Sequence, residues 1–323
     1  MVNLRDLLLE PALPGDTATF HRLPGAALPN LTHKQWVQGY HEVRALEVYT
    51  NPGLDIINNV FGLEDALDVC LLNRDVHPLN DTSEWFQSEG DSVRAFYTHI
   101  SLPLQLAFKA DDGRPFIIQR SESGPLGPTQ VPQTVDFTWG YGNCCLIIGE
   151  MKKHGIIDPP RWNGLLEVNS NRRWLGKELR GYCHKYQCFA ASVFDGKDLL
   201  ILVFQAENPQ QIQDQNCPVT GLLFSRDCAT LRYGLFRAAT YQIRRMQART
   251  ALAVEDLDGY ARGFRWWSGD PYWVDGNGGE YDEHPNGYIR LLDPSGPWYW
   301  ADANGNPVLY HDGERVWDMR RLW

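Results

Sequence analysis

Asp136, Glu150 and Lys152 are the residues of this 323-residue chain whose types and spacing could do chemistry together. Hydrolysis of a phosphodiester with a divalent ion needs carboxylates that hold the ion against a phosphate oxygen. It also needs a cation near the attacking water or the developing charge. Glu150 and Lys152 are two apart, and in a strand residues at that spacing project to the same side. If Val135-Asp136-Phe137 lies on the preceding strand, Asp136 stands beside the pair across the ladder, and Gly149 leaves room for close approach of a backbone or ligand. A bare Glu-x-Lys arises about once by chance in a chain of this size, so its weight comes from its surroundings. The bland alternative is a solvated strand end carrying a surface ion pair.

The elements around these residues are legible in outline. Thr82 or Ser83 is read as the cap of a helix running through Trp85, Phe86, Val93, Phe96, Tyr97 and Ile100 until Pro103 interrupts it. Three strand-like runs follow, at Phe116–Gln119, Thr134–Thr138 and Cys144–Lys152, the last almost continuously apolar, as in a strand buried on both faces. A helix is expected from about Asn171 to Tyr186, with Leu175, Leu179, Tyr182 and Tyr186 as its apolar stripe and a basic opposite face. Strands at Phe189–Phe194 and Leu199–Phe204 turn through Asp195-Gly196, a hairpin dipeptide. A last amphipathic helix spans about Thr230–Ala248. The expected fold is therefore α/β (α+β): helix, three strands, helix, then strands and a helix around a central mixed sheet.

Val135-Asp136-Phe137 and Ile148-Gly149-Glu150-Met151-Lys152-Lys153-His154 carry a resemblance to the PD-(D/E)XK restriction-endonuclease-like superfamily, over about residues 85 to 248. Leu175-Gly176-Lys177-Glu178-Leu179-Arg180-Gly181-Tyr182, Val193-Phe194-Asp195-Gly196 and Leu231-Arg232-Tyr233-Gly234-Leu235-Phe236-Arg237 make it more narrowly similar to a filamentous-fungal nuclease-like family. The resemblance implies a Mg- (or Mn-) dependent nuclease, with Asp136 and Glu150 as metal ligands and Lys152 as the cation of the transition state. Members often add a carboxylate from the first core helix, for which Glu89 and Asp91 are the candidates here, with Gly90 between them. Where many have a polar residue near the start of the second helix, this chain reads Arg172-Arg173-Trp174. The alternative is a catalytically inactive module of the same fold that binds nucleic acid or a protein partner.

The net charge of −10 excludes a protein that coats itself in nucleic acid by bulk charge. The balance is local, however: between Gly149 and Ala190, eight Lys or Arg face four acids. Lys153, Arg172, Arg173, Lys177 and Arg180 are accordingly expected to contact a nucleic-acid backbone, DNA first, and cutting both strands would call for a homodimer. Seven cysteines without a paired Cys-x-x-Cys pattern read as reduced thiols rather than a zinc site. No apolar run suggests a signal or membrane span, so a nuclear or cytoplasmic, unsecreted protein is expected. Other catalytic signatures, such as Gly-x-Ser-x-Gly and a phosphate-cradling Gly-x-x-x-x-Gly-Lys, do not occur. Residues 1–80 read as an N-terminal extension containing a helix from Lys34 to Tyr49, residues 81–250 as the nuclease-like domain, and 251–323 as an acidic tail of short β-hairpins. That tail holds seven of the twelve tryptophans and reads without a second clear copy of any unit.

Overall fold

The computed structural model describes residues 2–12, 18–20, 34–64, 66–73, 75–76, 84–86, 89–108, 117–123, 134–141, 144–206, 208–250, 259–264, 271–292, 298–308, 310–311 and 314–315. The chain divides into two compact units, residues 1–62 with 71–242, and residues 63–70 with 243–323. No helix among the described residues is long and apolar enough to cross a membrane.

The first unit is built on a seven-stranded mixed sheet. Its strands are β1 (Leu46–Thr50), β2 (Ile118–Ser123), β3 (Val135–Tyr141), β4 (Cys144–Met151), β5 (Ala190–Phe194), β6 (Asp198–Phe204) and β7 (Val219–Ser225). They lie side by side in the order β1-β7-β6-β5-β4-β3-β2. β2, β3 and β4 form an antiparallel meander, β5 runs parallel to β4, β6 and β7 return antiparallel, and β1 closes the edge parallel to β7. The helices placed here are α1 (Leu54–Phe61), α2 (Glu89–Ala95, continuing through Phe96–Ser101 and Leu102–Ala107), α3 (Ser170–Tyr186) and α4 (Leu231–Thr250).

Alternation sorts the core into two layers. Ile148, Ala191, Val193, Leu200, Leu202, Phe204 and Leu223 face Leu175, Leu179 and Tyr182 of α3. On the other face Phe137 and Phe194 meet Phe96 of α2, with ring centroids 4.9 and 5.7 Å away, while Phe236 of α4 stacks on Phe108 at 5.6 Å. A mixed α/β architecture is thus present; the helix, three strands, helix, two strands and last helix occur in the expected sequence, and β1 and β7 are additional.

Several local expectations are corrected. The Lys34–Tyr49 helix is a single 3-10 turn, Gln35–Gly39, followed by β1. Trp36 and Tyr40 have helical spacing because both press on Gly181 of α3, where a Cβ would lie 2.5 Å from the Trp36 ring. Residues read as an extension therefore supply an edge strand to the main sheet. Trp85 and Phe86 lie in a short strand, Glu84–Phe86, rather than in α2, which begins at Glu89. Pro103 does not end α2: the stretch Phe96–Ser101 is a π-helix, whose wider turn accommodates the proline that follows it. β7 escapes the sequence reading because Gly221 interrupts its apolar run. That glycine lies under β1, 3.0 Å from Val48 Cγ2 if given a Cβ. The proposed cap at Thr82 or Ser83 lies outside the described residues.

The second unit is a set of short antiparallel pairs, among them Ala261–Phe264 with Pro271–Val274 and Ile289–Leu292 with Trp298–Ala301. Trp273, His284 and Trp300 form its core, with centroids 4.8 to 5.3 Å apart. Here the structure brings out a second copy that the sequence reading missed. Tyr272-Trp273-Val274-Asp275-Gly276-Asn277-Gly278 repeats as Tyr299-Trp300-Ala301-Asp302-Ala303-Asn304-Gly305. In each copy the Asp Oδ1 accepts from the N–H groups two and four residues on, and the Gly takes a φ of 82°. The repeat is thus a hairpin turn wired by one carboxylate.

Candidate active site

Phe137 of β3 pairs with Gly149 of β4, so one residue further along each strand Asp136 stands opposite Glu150 on the face covered by α3. Gly149 is required by the other face: a Cβ there would lie 1.9 Å from the Phe137 ring, which fills the space. The expectation that Gly149 admits a ligand is corrected accordingly. Two tyrosines one turn apart on α3 pin the start of β3. Tyr182 Oη donates to the Thr134 carbonyl at 3.1 Å, and Tyr186 Oη accepts from the Val135 N–H at 3.2 Å. Asp136 Oδ2 accepts from the Met151 N–H, which ties the two strands at the site.

Beyond β4, the Lys152 N–H donates to the Phe194 carbonyl at 2.9 Å. Asp195 Oδ2 then holds the following turn, accepting from Gly155 N at 2.9 Å and Ile157 N at 3.0 Å. Lys152 Nζ is 2.6 Å from Glu150 Oε2 and 3.5 Å from Glu178 Oε1. From the segment before β1, Lys34 Nζ reaches the same Glu178 oxygen at 2.5 Å and donates to Tyr182 Oη at 2.6 Å. Glu150 is 2 % exposed and Glu178 3 %. Three carboxylates and two ammonium groups therefore share one largely buried cluster.

Burial pushes the Glu150 carboxyl up to about 7; Lys152 opposes this, and Glu178 and Asp136 add to it. Burial would lower the Lys152 ammonium, but Glu150 and Glu178 outweigh it and hold the group above its ordinary value. Lys34 is raised by the same balance, burial against the attraction of Glu150, Glu178 and Asp136. Burial, with Glu150 and Glu178 nearby, keeps the Tyr182 phenol protonated as a donor.

The structure thus brings Asp136, Glu150 and Lys152 together, and it adds Glu178, Lys34, Tyr182 and Tyr186. Glu178 carried a signal: it lies three residues after Leu175 and four before Tyr182, so it is an acid on an apolar stripe. Lys34 carried none, being 144 positions before Glu178 with no local pattern. Glu89 and Asp91 fall at the start of α2, but their side chains lie outside the described residues. His154 is half-buried in the turn after Lys152.

The expected nucleic-acid contacts divide. Lys153 and Arg173 are exposed, the latter 4.0 Å from Glu42. Arg172 lies over the Trp162 ring at 5.5 Å and Lys177 over Trp174 at 5.5 Å. Arg180 is corrected: it is 0 % exposed, and its guanidinium donates to the carbonyls of Ile212, at 2.7 Å, and Asp214. No phosphate can reach it. Arg232 and Arg237 of α4 are likewise buried on carbonyl oxygens.

A hard divalent cation suits the donors, which are carboxylate oxygens. Asp136 and Glu150 each commit one oxygen to a protein donor, Met151 N and Lys152 Nζ, and among the described residues the other oxygen takes no hydrogen bond. Among the described residues no three His, Cys, Asp or Glu side chains converge into a closed metal cage. One or two carboxylates are what Mg2+ ordinarily takes from a protein, the rest of its shell being water and phosphate. No protein-family model, no curated protein and no solved structure matches this chain.

Proposed function

We propose that the first unit is a metal-dependent nuclease of the PD-(D/E)XK kind, of the filamentous-fungal type that its motifs resemble, hydrolysing phosphodiester bonds of DNA. The observation that carries this reading is the pair Asp136 and Glu150, facing each other across one ladder, with the Lys152 ammonium 2.6 Å from Glu150. A Mg2+ or Mn2+ ion held by those two carboxylates would polarise a phosphoryl oxygen and acidify a water. The rest is the work of the chain's own residues. Tyr182 and Tyr186 fix the strand that bears Asp136. Lys152, set between Glu150 and Glu178, presents a fixed positive charge where a pentavalent phosphate would gather negative charge. Lys153 and Arg173, exposed on the same connection and helix, are the groups most open to a backbone phosphate. Cutting both strands of a duplex would take two copies of this single site, and the nucleus or cytoplasm is the compartment this reading favours.

A module of the same fold that binds a protein or nucleic acid without cutting it is the second reading. It is favoured by the loss of Arg180 from the basic surface. Incubation of the purified full chain with single- and double-stranded DNA and RNA, with Mg2+ or Mn2+, separates the two. Metal-dependent cutting that disappears in folded Asp136→Asn and Lys152→Ala is expected. Cutting by neither metal, from protein that still binds nucleic acid, would overturn the nuclease reading.

A further inference from the structure

We propose that Lys34 does the electrostatic work of a second divalent ion, so that the site takes one metal ion per chain. This inference rests on the metal-dependent reading above and deepens it. With every group ionised, Asp136, Glu150 and Glu178 bring three negative charges, and Lys152 and Lys34 return two positive ones. One dication then turns the cluster from −1 to +1. A second would have to enter beside two ammonium groups and an ion already in place, in a water-poor setting where like charges repel strongly.

The geometry also removes a ligand from any second ion. Glu178 Oε1 lies between Lys34 Nζ at 2.5 Å and Lys152 Nζ at 3.5 Å, so two ammonium groups hold this oxygen, whereas Asp136 Oδ2 and Glu150 Oε2 each take a single protein donor. Asp136 and Glu150 are left as the ligand pair. Lys34 is not a loose surface lysine that finds Glu178 by chance. Its ammonium donates to Tyr182 Oη, which passes the bond on to the Thr134 carbonyl. The turn behind it is clamped to α3: Trp36 packs on Tyr182 with centroids 5.0 Å apart, and Lys185 Nζ caps the Trp36 ring at 3.8 Å. Gly181 lets that ring down onto the helix, since a Cβ there would meet Trp36 at 2.5 Å and Tyr40 at 2.9 Å. A strap of aromatic residues thus delivers one positive charge to a site made by other parts of the chain.

The test is the number of Mn2+ ions bound per full-length chain, read from the electron paramagnetic resonance signal of free Mn2+ during titration. One ion is expected for the unaltered protein and for Lys34→Arg, and two for Lys34→Met. Two ions in the unaltered protein would overturn the inference without any variant being needed. One ion in both the unaltered protein and Lys34→Met would overturn the role of Lys34 while leaving the nuclease reading intact. No bound Mn2+ in the unaltered protein would overturn both, and cleavage need not be measured to tell these outcomes apart.

Discussion

The ring of Phe137 lies across the face of Gly149, and this contact sets the register that puts Asp136 opposite Glu150. Any Cβ at 149 would have to displace an aromatic ring packed on Phe96 at 4.9 Å and Trp139 at 5.9 Å. Gly149→Ala is therefore expected to destabilise the protein by about 1–3 kcal/mol through overpacking. Thermal unfolding checks this, with Gly155→Ala as a comparison, because its Cβ would meet open space and only the backbone φ of 82° would be strained.

Arg180 and Arg173 lie seven residues apart on one helix and should behave oppositely. Arg180→Met leaves the Ile212 and Asp214 carbonyls without their buried donor and should cost about 3 kcal/mol in urea unfolding. Arg173→Ala, more than half exposed, should leave stability within about 0.5 kcal/mol. It should instead weaken DNA binding and reduce the salt dependence of that binding by about one phosphate contact. A stable Arg180→Met variant would contradict the structural role assigned to that guanidinium.

Asp198, at the start of β6, gives a pH dependence that does not involve the site. Burial, reinforced by Asp195 and opposed by Lys197, raises its carboxyl from 3.8 to about 7. The folded state then holds a proton that the unfolded chain releases first, so the contribution to stability is full below about pH 4 and is lost as pH rises to about 7. Asp198→Asn, neutral throughout, is expected to gain stability over the unaltered protein at pH 8 relative to pH 5. Denaturant midpoints at the two pH values measure this difference.

Arg232 ties two separate stretches to α4. Its Nε donates to the His99 carbonyl at 2.7 Å, and its two terminal nitrogens to Leu7 at 2.9 Å and Ala12 at 3.2 Å. Arg232→Met should free the first dozen residues before the sheet opens. Hydrogen exchange is expected to show faster exchange at Leu4–Leu8 with the amides of β5 and β6 unchanged. Uniformly faster exchange would mean that the arginine holds the whole unit together instead.

How much of this was legible in the sequence follows from the range of the forces involved. Periodicity and turn chemistry are local, and they located β3 to β6, α3 and α4 to within a few residues, together with the Asp195-Gly196 turn. The facing of Asp136 and Glu150 followed from strand alternation alone. What stayed hidden depends on contacts between distant segments. Trp36 and Tyr40 imitate a helix because they grip Gly181, and the π turn at Phe96–Ser101 hides the helical character of the residues around Pro103. A basic residue such as Arg180 reads as surface until the carbonyls that bury it are known. Asp275 and Asp302 showed their common role only through identical hydrogen bonds, since only five of the eight residues from Tyr272 to Gly279 match those from Tyr299 to Asn306.

The strap that carries Lys34 has a consequence for how the protein comes into being. Lys34 bonds to Tyr182, 148 positions later, and Arg232 bonds to Leu7, 225 positions earlier. Unit 1 thus closes on contacts of long sequence separation, which makes for slow folding. A nascent chain that has emerged only as far as the turn after β4 already has Asp136, Glu150 and Lys152 but lacks the helix that brings Glu178 and Tyr182. The ionic cluster is consequently a late product of synthesis, and a truncated chain carries its acidic pair without the scaffold that orients it.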